Sequence, residues 1–282
     1  MKLTLHFSPC PNDTFIFDAL VNHKIDTKGF QFETALEDVQ TLNEQAIQGI
    51  PDICKISYGV LPLLIEKYIL LTSGGALGKG SGPLLISKKN IPLQNIHEKK
   101  IAIPGENTTA HLLFSFLFPQ AKNKIFTTFN LIEDMVLIGA VDAGVIIHEN
   151  RFTYAEKHLV KLADLGETWE NETALPIPLG GIVIKRNLPK EVKLNVNKLI
   201  RGSMEYAFAH HIKHLSEYVQ LHAQEMNEDV MRKHIGLYVN DYSKDVGSEG
   251  KRAVLKLMKT FNKLHPGHFS ELPKANLLFL RK

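Results

Sequence analysis

The feature that most constrains the fold of this chain is a regular alternation of strand-like and helix-like segments up to residue 185. Short apolar runs rich in β-branched residues predict strands at residues 2–7, 30–34, 52–57, 84–87, 100–104, 124–129, 143–148 and 181–185. Apolar residues at three- and four-residue spacing predict helices at residues 12–22, 39–49, 59–67, 108–117 and 131–139. This order is typical of α/β proteins with parallel sheets built from βαβ units.

The C-terminal third of the chain has a different character. Helical periodicity with little strand signal predicts a helical wrap made of residues 192–214, 215–224, 229–239 and 247–264. Two flexible stretches, residues 74–82 and 176–181, each precede a strand and could carry the chain into and out of a middle lobe. We therefore predict a first lobe of residues 1–87 and 179–282, a second lobe of residues 88–178, and a ligand cleft between them. One continuous sheet with a glycine loop is the alternative.

Composition excludes several classes of protein. The chain has 282 residues, 44% hydrophobic and 22% charged, which is typical of a soluble globular protein. The chain has 33 basic and 30 acidic residues, and the basic residues form no long run. We therefore expect neither nucleic acid nor membrane as a partner. Residues 1–10 alternate polar with apolar and present no signal-peptide core, so we expect a cytoplasmic protein. Cys10 and Cys54 are the only cysteines and are expected to be free thiols.

The turn after the first predicted strand is the first candidate for a ligand site. A proline stands on each side of Cys10, which stiffens the backbone where the strand passes into a helix. Asn12 or Asp13 can cap that helix, and a helix start attracts a carboxylate or phosphate. Ser8, Cys10, Asn12 and Asp13 are therefore candidate cleft residues, while a merely rigid turn is the alternative.

The strongest catalytic candidate is His148. It ends a predicted buried strand at the carboxyl edge, where open α/β sheets bind ligands. An imidazole with an ordinary pKa of about 6.5 can accept a proton at neutral pH, so we predict that His148 is a general base. Glu149 and Arg151 could orient it or could pair with each other. A histidine that only packs in the core or caps a helix is the alternative.

Two other segments offer groups to the same cleft. Lys55 and Ser57 share one face at the end of the strand at residues 52–57 and present an ammonium and a hydroxyl. Thr108 or Thr109 opens a helix with both a hydroxyl and an N–H group, which suits a carboxylate. A surface Lys–Ser pair and ordinary helix capping are the respective alternatives.

Two segments partly resemble known binding motifs but do not match them. The glycines of residues 74–80 have neither Walker A spacing nor a G-x-G-x-x-G pattern, so nucleotide binding is not indicated. His210, His211 and His214 have helical spacing but no H-E-x-x-H motif, so we predict a solvated helix face and no metal site.

Several longer motifs carry a resemblance that spans nearly the whole chain. The motifs are SPCPNDTFIFD at residues 8–18, LEDVQTL at 36–42, SGGALGKGSGP at 73–83, GVIIHENRFTY at 144–154, LGG at 179–181, YVN at 238–240 and DVG at 245–247. Together they resemble the 1,4-dihydroxy-6-naphthoate synthases of the futalosine route to menaquinone. A set of motifs with this spread is much more specific than any one of them.

The resemblance implies a fold and an activity. It implies a type II periplasmic-binding-protein-like fold used as a cofactor-independent carbon–carbon lyase. Its small-molecule carboxylate substrate would be cyclic dehypoxanthinyl futalosine, and the products would be 1,4-dihydroxy-6-naphthoate and dihydroxyacetone. The proton acceptor of the family falls on His148, and its substrate-contacting segments fall on Lys55, Ile56 and Ser57 and on Thr109 and Ala110. The resemblance gives no catalytic role to Cys54 and leaves the role of Cys10 open.

Two rival functions remain at this point. A solute-binding protein is the first, because such proteins dominate the implied fold class. Chorismate dehydratase of the same pathway is the second, although it should lack the combination of SPCPNDTF and IIHE.

Overall fold

The computed structural model describes residues 1–80, 82–223 and 227–281, with strands and helices interspersed as far as Lys185 and mainly helices after it. The strands are β1 (Lys2–Phe7), β2 (Gln31–Leu36), β3 (Ile53–Ser57), β4 (Tyr68–Leu70), β5 (Ala76–Gly78), β6 (Leu84–Ser87), β7 (Ile101–Ile103), β8 (Lys124–Phe126), β9 (Ala143–Ile146), β10 (Val160–Asp164) and β11 (Ile177–Lys185). The helices are α1 (Pro11–Val21), α2 (Val39–Gln48), α3 (Thr109–Leu117), α4 (Ile132–Leu137), α5 (Asn150–Thr153), α6 (Leu165–Thr173), α7 (Lys190–His210), α8 (Glu217–His222), α9 (Glu228–Tyr238), α10 (Asp241–Lys244), α11 (Gly247–Leu264) and α12 (Ala275–Leu278). The predicted α/β class is confirmed.

The first sheet is built around β1. Within the described residues its strand order is β2-β1-β3-β11-β4, and β5 also pairs with β11. Strand β1 runs parallel to β2 and β3, whereas β11 is antiparallel to β3, β4 and β5. The sheet is therefore mixed rather than parallel as predicted, because β11 enters it from the opposite direction after the chain has built a second sheet.

The second sheet has the order β10-β6-β9-β7-β8 among the described strands. Strand β7 is parallel to β8 and β9, and β6 is antiparallel to β9 and β10. The sheets thus divide between β5 and β6, a few residues before the predicted lobe boundary that follows residue 87. The assignment of residues 1–87 and 179–282 to one lobe and residues 88–178 to the other stays a prediction.

One predicted helix is wrong. Residues 59–67 do not form an α-helix; a short 3-10 helix, Tyr58–Leu63, contains Pro62, and β4 begins at Tyr68. Proline has no N–H to donate and its ring crowds the carbonyl four residues earlier, so an α-helix cannot continue through it. The apolar residues that suggested a helix are apolar because the segment is buried, and every residue from Tyr58 to Pro62 is buried.

The C-terminal helices wrap around the first sheet. Helix α1 packs against α7, α8 and α9, and buried side chains such as Phe7, Phe17 and Met204 fill the space between α1, β1 and α7. Helix α11 contacts β11, α3 and the 3-10 helix after β3. The predicted helix at residues 215–224 corresponds to α8, although its last residue, Gln224, lies outside the described residues, as does Ser81 of the glycine-rich stretch.

The helices also bear on membrane association. Among the described residues, none combines the length and the apolar composition that crossing a membrane requires.

Candidate active site

The residues predicted to bind a ligand converge on one cleft between the two sheets. The cleft encloses about 690 Å³ of space between atoms, including its solvent-open mouth. Its wall includes Ser8, Asn12, Lys55, Ile56, Ser57, Thr109, Ala110 and His148. Cys10 lines an adjoining recess together with Ser8 and His148.

The carboxylate of Asp13 organises the turn between β1 and α1. Cys10 is the N-cap residue and Pro11 takes the first helical position, where a missing N–H costs nothing. Asp13 accepts hydrogen bonds from Ser8 Oγ at 2.8 Å and from Asn12 Nδ2 at 2.8 Å. Asn12 and Asp13 therefore do not cap the helix, which was one predicted role. Asn12 lines the cleft, whereas Asp13 does not line it and is buried behind Ser8 and Asn12, which it holds in place.

Lys55 contributes a positive charge to the wall of the cleft. Its ammonium Nζ lies 2.8 Å from Asp13 Oδ1 and donates to the carbonyl oxygen of Gly74 at 3.0 Å. Both side chains of the ion pair are buried. A buried ammonium requires such partners, because removing its hydration is costly.

The end of β3 links the first sheet to the start of α3. Ile56 and Ser57 line the cleft, and the Ser57 N–H donates to Asn43 Oδ1 at 2.9 Å. The amide Nδ2 of Asn43 in turn donates to the carbonyl oxygen of Asn107 at 2.9 Å. Asn43 thereby holds the strand end and the loop before α3 in one arrangement.

The start of α3 presents backbone groups to the cleft. The Thr108 hydroxyl donates to Gly105 O at 2.9 Å and accepts from His111 N at 3.1 Å. The Thr109 hydroxyl donates to Leu179 O at 2.9 Å and accepts from Gly59 N at 3.0 Å. Both hydroxyls are thus occupied by the protein, so the first-turn N–H groups of the helix are the ones suited to a ligand.

His148 lies two residues beyond the end of β9, whereas the sequence predicted that the strand included it. Its backbone has φ of +57°, a left-handed conformation that costs a non-glycine residue on the order of 1 kcal/mol. The ring nitrogen Nδ1 lies 3.7 Å from Cys10 Sγ, and the Phe129 ring packs against the imidazole edge to face at 4.9 Å. Such strain is typical of functional sites.

Burial controls the proton affinity of His148. It lowers the pKa of the imidazole below its usual value, and a negative charge on Glu149 or Asp13 would oppose that lowering. The imidazole is therefore neutral at pH 7 and has a lone pair with which to accept a proton.

The two cysteines are thiols rather than thiolates. Burial raises the pKa of Cys10 well above its usual value. Burial also raises the pKa of Cys54, whose Sγ lies 3.6 Å from the carbonyl oxygen of Leu42, to which it donates. Neither sulfur is an activated nucleophile at neutral pH.

One group of side chains has the spacing that an ion would require. The sulfur of Cys10, an imidazole nitrogen of His148 and a carboxylate oxygen of Glu149 lie within 4.8 Å of one another, a grouping found nowhere else in the described part of the chain. An ion there would have to displace the thiol proton that burial retains. We interpret the group as a hydrogen-bonding cluster, and the absence of a metal stays a prediction.

His234 belongs to the site but was not predicted from the sequence. This residue of α9 is fully buried, and its Nε2 lies 2.8 Å from Asn12 Oδ1. Its ring stacks on that of His148 with centroids 5.9 Å apart. The signal was present, because Met231, His234, Ile235 and Tyr238 follow the spacing of a buried helix face.

Glu149 and Arg151 do not pair with each other, which was one of their two predicted roles. The Arg151 guanidinium donates to the carbonyl oxygen of Gly82 and lies 3.5 Å from Asp164 Oδ2. Glu149 instead faces His234, with Oε2 and Nδ1 3.5 Å apart.

The two sides of the cleft touch each other beside the site. Asn107 N donates to Gln40 Oε1 at 3.1 Å, next to the Asn43 contact described above. Gly59 lies so close to α3 that an added Cβ would stand 2.6 Å from the backbone of Thr108 and Thr109. The two sides of the cleft are therefore in direct contact at this point.

Comparison with solved structures defines the class of protein. A crystal structure of a protein from Archaeoglobus fulgidus matches with a TM-score of 0.86 and 31% identity, covering 93% of this chain and 97% of that one. The alkanesulfonate-binding protein of Xanthomonas axonopodis pv. citri, bound to MOPS, matches with a TM-score of 0.71 and 13% identity, covering 98% and 96%. The second match shows the fold alone. The chain is thus a two-sheet α/β protein of the periplasmic-binding-protein-like class, with its candidate site in the cleft.

Comparison with protein families is more specific. The chain belongs to the menaquinone biosynthesis family, whose model matches residues 3–263. A protein of Thermus thermophilus named 1,4-dihydroxy-6-naphtoate synthase is 44% identical over 255 residues, covering 90% of this chain and 92% of that protein. A protein of the same name from Streptomyces coelicolor is 39% identical over 261 residues, covering 91% of each.

Proposed function

We propose that this protein is a lyase that converts cyclic dehypoxanthinyl futalosine into 1,4-dihydroxy-6-naphthoate and dihydroxyacetone. Two relatives with the name of this enzyme, each matched over about nine tenths of the chain, support the proposal. The observation that carries it is the placement of a neutral, half-buried His148 in the wall of the cleft between the two sheets. We place the reaction in the cytoplasm, as the sequence predicts, and assign it no cofactor.

His148 is the proposed general base. Its Nδ1 faces Cys10 Sγ at 3.7 Å, so a hydrogen on Nδ1 has the sulfur as acceptor. This tautomer leaves the lone pair on Nε2, the nitrogen that would take a proton from carbon. Positioned proton transfer of this kind contributes roughly 10²- to 10⁴-fold to a rate.

The remaining groups bind the substrate. The carboxylate of the substrate would lie against the first-turn N–H groups of Thr109 and Ala110, where the helix dipole favours an anion. Lys55 and the Ser57 hydroxyl would add a positive charge and a donor from the opposite wall. Apolar side chains in between, including Leu42, suit the flat ring system.

The reaction needs little more than a base and a closed cleft. His148 removes a proton from an activated carbon, the sugar-derived ring opens, and the carbon–carbon bond to the three-carbon fragment breaks. Formation of an aromatic naphthalene diol drives the cleavage. The contacts of Asn107 and Thr109 across the cleft would exclude water from the transient enolate.

Product analysis tests the proposal. The purified protein is incubated with cyclic dehypoxanthinyl futalosine, and both products are followed by mass spectrometry. Equal amounts of the naphthoate and of dihydroxyacetone are expected. Recovery of the compound unchanged from a tight complex would instead indicate a solute-binding protein, and loss of water from chorismate in a parallel incubation would indicate the dehydratase.

A further inference from the structure

Glu149 and His234 face each other as two unsatisfied acceptors in the interior. Glu149 is 7% exposed and His234 is not exposed at all. Within the described residues, neither Glu149 Oε2 nor His234 Nδ1 has a hydrogen-bond partner, although they lie only 3.5 Å apart. Buried polar atoms are nearly always paired, so this arrangement requires an explanation.

The neighbours of His234 determine which of its nitrogens carries hydrogen. The Asn12 amide nitrogen Nδ2 donates to Asp13 Oδ1 at 2.8 Å, so the Asn12 oxygen Oδ1 is the atom that faces His234. An oxygen can only accept, and His234 Nε2 therefore donates to it. In the neutral ring the lone pair is then on Nδ1, directed at Glu149.

A single proton resolves the conflict between the two acceptors. A carboxylate oxygen and an imidazole lone pair at this distance repel each other in a medium of low dielectric constant, whereas one proton between them forms a hydrogen bond. Burial also disfavours a net charge on either group and lowers the pKa of His234 well below the usual value. The pair then has no net charge.

We propose that Glu149 and His234 share one proton and act as a positioning pair that keeps His148 in its neutral, proton-accepting form. This inference rests on the proposed function of His148. Glu149 lies next to His148 in the chain, with a carboxylate oxygen within 4.8 Å of an imidazole nitrogen of His148, and the His234 ring stacks on the same imidazole. An ionised Glu149 would favour the imidazolium form, and the shared proton removes that charge.

Other charged and titratable groups face His148 or the pair from each element packed around them. They are Cys10 and Asp13 of the β1–α1 turn, Lys55 of β3, Asp38 before α2, Arg151 of α5 and Tyr238 of α9. Asp13 and Lys55 form an ion pair, so their opposite charges largely offset each other at His148. Glu149 is therefore the group whose charge state has the largest expected effect.

Two substitutions alter the pair in opposite ways. Glu149→Gln places a neutral amide donor before His234 Nδ1 and reproduces the proton-sharing state. His234→Asn places an amide N–H near the former Nδ1, where it donates to an ionised Glu149 and restores its negative charge. His211→Asn is the matched control, because His211 Nε2 is also unpartnered within the described residues, at 3.8 Å from Asp18 Oδ2, but lies outside the cleft.

The experiment measures the titration of His148 by ¹⁵N NMR of histidine-labelled protein, together with the pH profile of kcat/KM. We expect the midpoint of His148 to rise by about 1 pH unit or more in His234→Asn and to stay within about 0.3 pH units in Glu149→Gln and His211→Asn. The acid limb of kcat/KM should shift in parallel. Adding Glu149→Gln to His234→Asn should return the midpoint to the wild-type value.

Three outcomes would overturn the proposal. An unshifted midpoint in His234→Asn would show that the pair does not control His148, and a fall of about 1 pH unit in Glu149→Gln would show that Glu149 is already ionised. The third outcome is measured on wild-type protein. A ¹⁵N chemical shift of His234 Nδ1 at pH 7 that is typical of an imidazole nitrogen without a hydrogen bond would show that no proton is shared. If the titrations behave as expected but no turnover occurs, the proposed function fails and the pair remains.

Discussion

A histidine that accepts a proton at one ring nitrogen needs an acceptor for the hydrogen on the other. In this site the nearest such atom to His148 Nδ1 is the sulfur of Cys10, at 3.7 Å. The thiol is protonated at neutral pH, so it accepts through its lone pairs and acts without charge. This assigns Cys10, whose role the sequence left open, to the orientation of the proposed base.

Substitution of Cys10 tests that assignment. We expect Cys10→Ala to lower kcat about five- to tenfold at pH 7.5, because a hydrogen bond worth about 1 kcal/mol is lost. Cys10→Ser should keep most of the rate, since its hydroxyl also accepts. Cys54→Ala, at the other buried thiol, should leave kcat unchanged. Equal rates for wild type and Cys10→Ala, or equally poor rates for the alanine and serine variants, would contradict the assignment.

Only some of the residues of the site could be predicted from the sequence. His148, Lys55 and Ser57 were identifiable because each lies near or just beyond the carboxyl end of a strand, which is where open α/β sheets bind ligands. His234 is 222 residues from its partner Asn12. No local pattern connects the two, since their contact exists only after the C-terminal helices have wrapped around α1.

At the scale of elements, the long and strongly periodic segments were predictable and the short ones were not. Helices α7, α9 and α11 match their predictions to within a few residues, because an apolar stripe over several turns is unambiguous. Strands β4 and β5, of three residues each, carry too few side chains to show alternation. They owe their strand geometry to pairing with β11, which is a tertiary contact.

The closed contact between the 3-10 helix after β3 and the start of α3 is also testable at this scale. An added Cβ at Gly59 would stand 2.6 Å from the Thr108–Thr109 backbone, so one side of the cleft would have to move. We expect Gly59→Ala to raise KM and lower kcat/KM at least about tenfold, with overpacking also costing roughly 1–3 kcal/mol of stability.

Gly236 of α9 is the control for that substitution. No atom lies within 4 Å of the point that an added Cβ would occupy there, so Gly236→Ala should preserve kcat/KM and increase stability by up to about 1 kcal/mol through helix propensity. An unchanged KM in Gly59→Ala, measured beside this control, would show that the contact does not set the geometry of the cleft.

At the scale of the whole molecule, buried histidines couple stability to pH. Burial lowers the pKa of His111 to about 4 and also lowers that of His148, whereas both titrate near pH 6.5 in an unfolded chain. Below about pH 6.5 the unfolded chain therefore binds protons that the folded chain does not, and the free energy of unfolding falls as the pH falls. The proposed Glu149–His234 pair acts in the opposite direction, because it holds one proton in the folded chain while the unfolded chain releases that proton as the pH rises through about 6.5.

Urea unfolding at two pH values measures this effect. We expect the free energy of unfolding to be about 1 kcal/mol lower at pH 5.5 than at pH 7.5, because His111 and His148 each lower it by up to about 1.4 kcal/mol over this range and the pair offsets one of them. His111→Asn should reduce the difference, by less than about 1.4 kcal/mol because this side chain is partly exposed. A stability that is constant or rises towards pH 5.5 would contradict the burial of neutral imidazoles.

We propose that His148 takes a proton from the substrate in the cleft, and the turnover of two matched asparagine variants is the sharpest test. His148 and His158 both have φ of +57°, a conformation that asparagine tolerates, and of the two only His148 lies in the cleft. We expect His148→Asn to lower the rate of naphthoate formation at least about 100-fold, while His158→Asn stays within about twofold of wild type. Near-normal turnover in a folded His148→Asn protein would show that His148 is not the base.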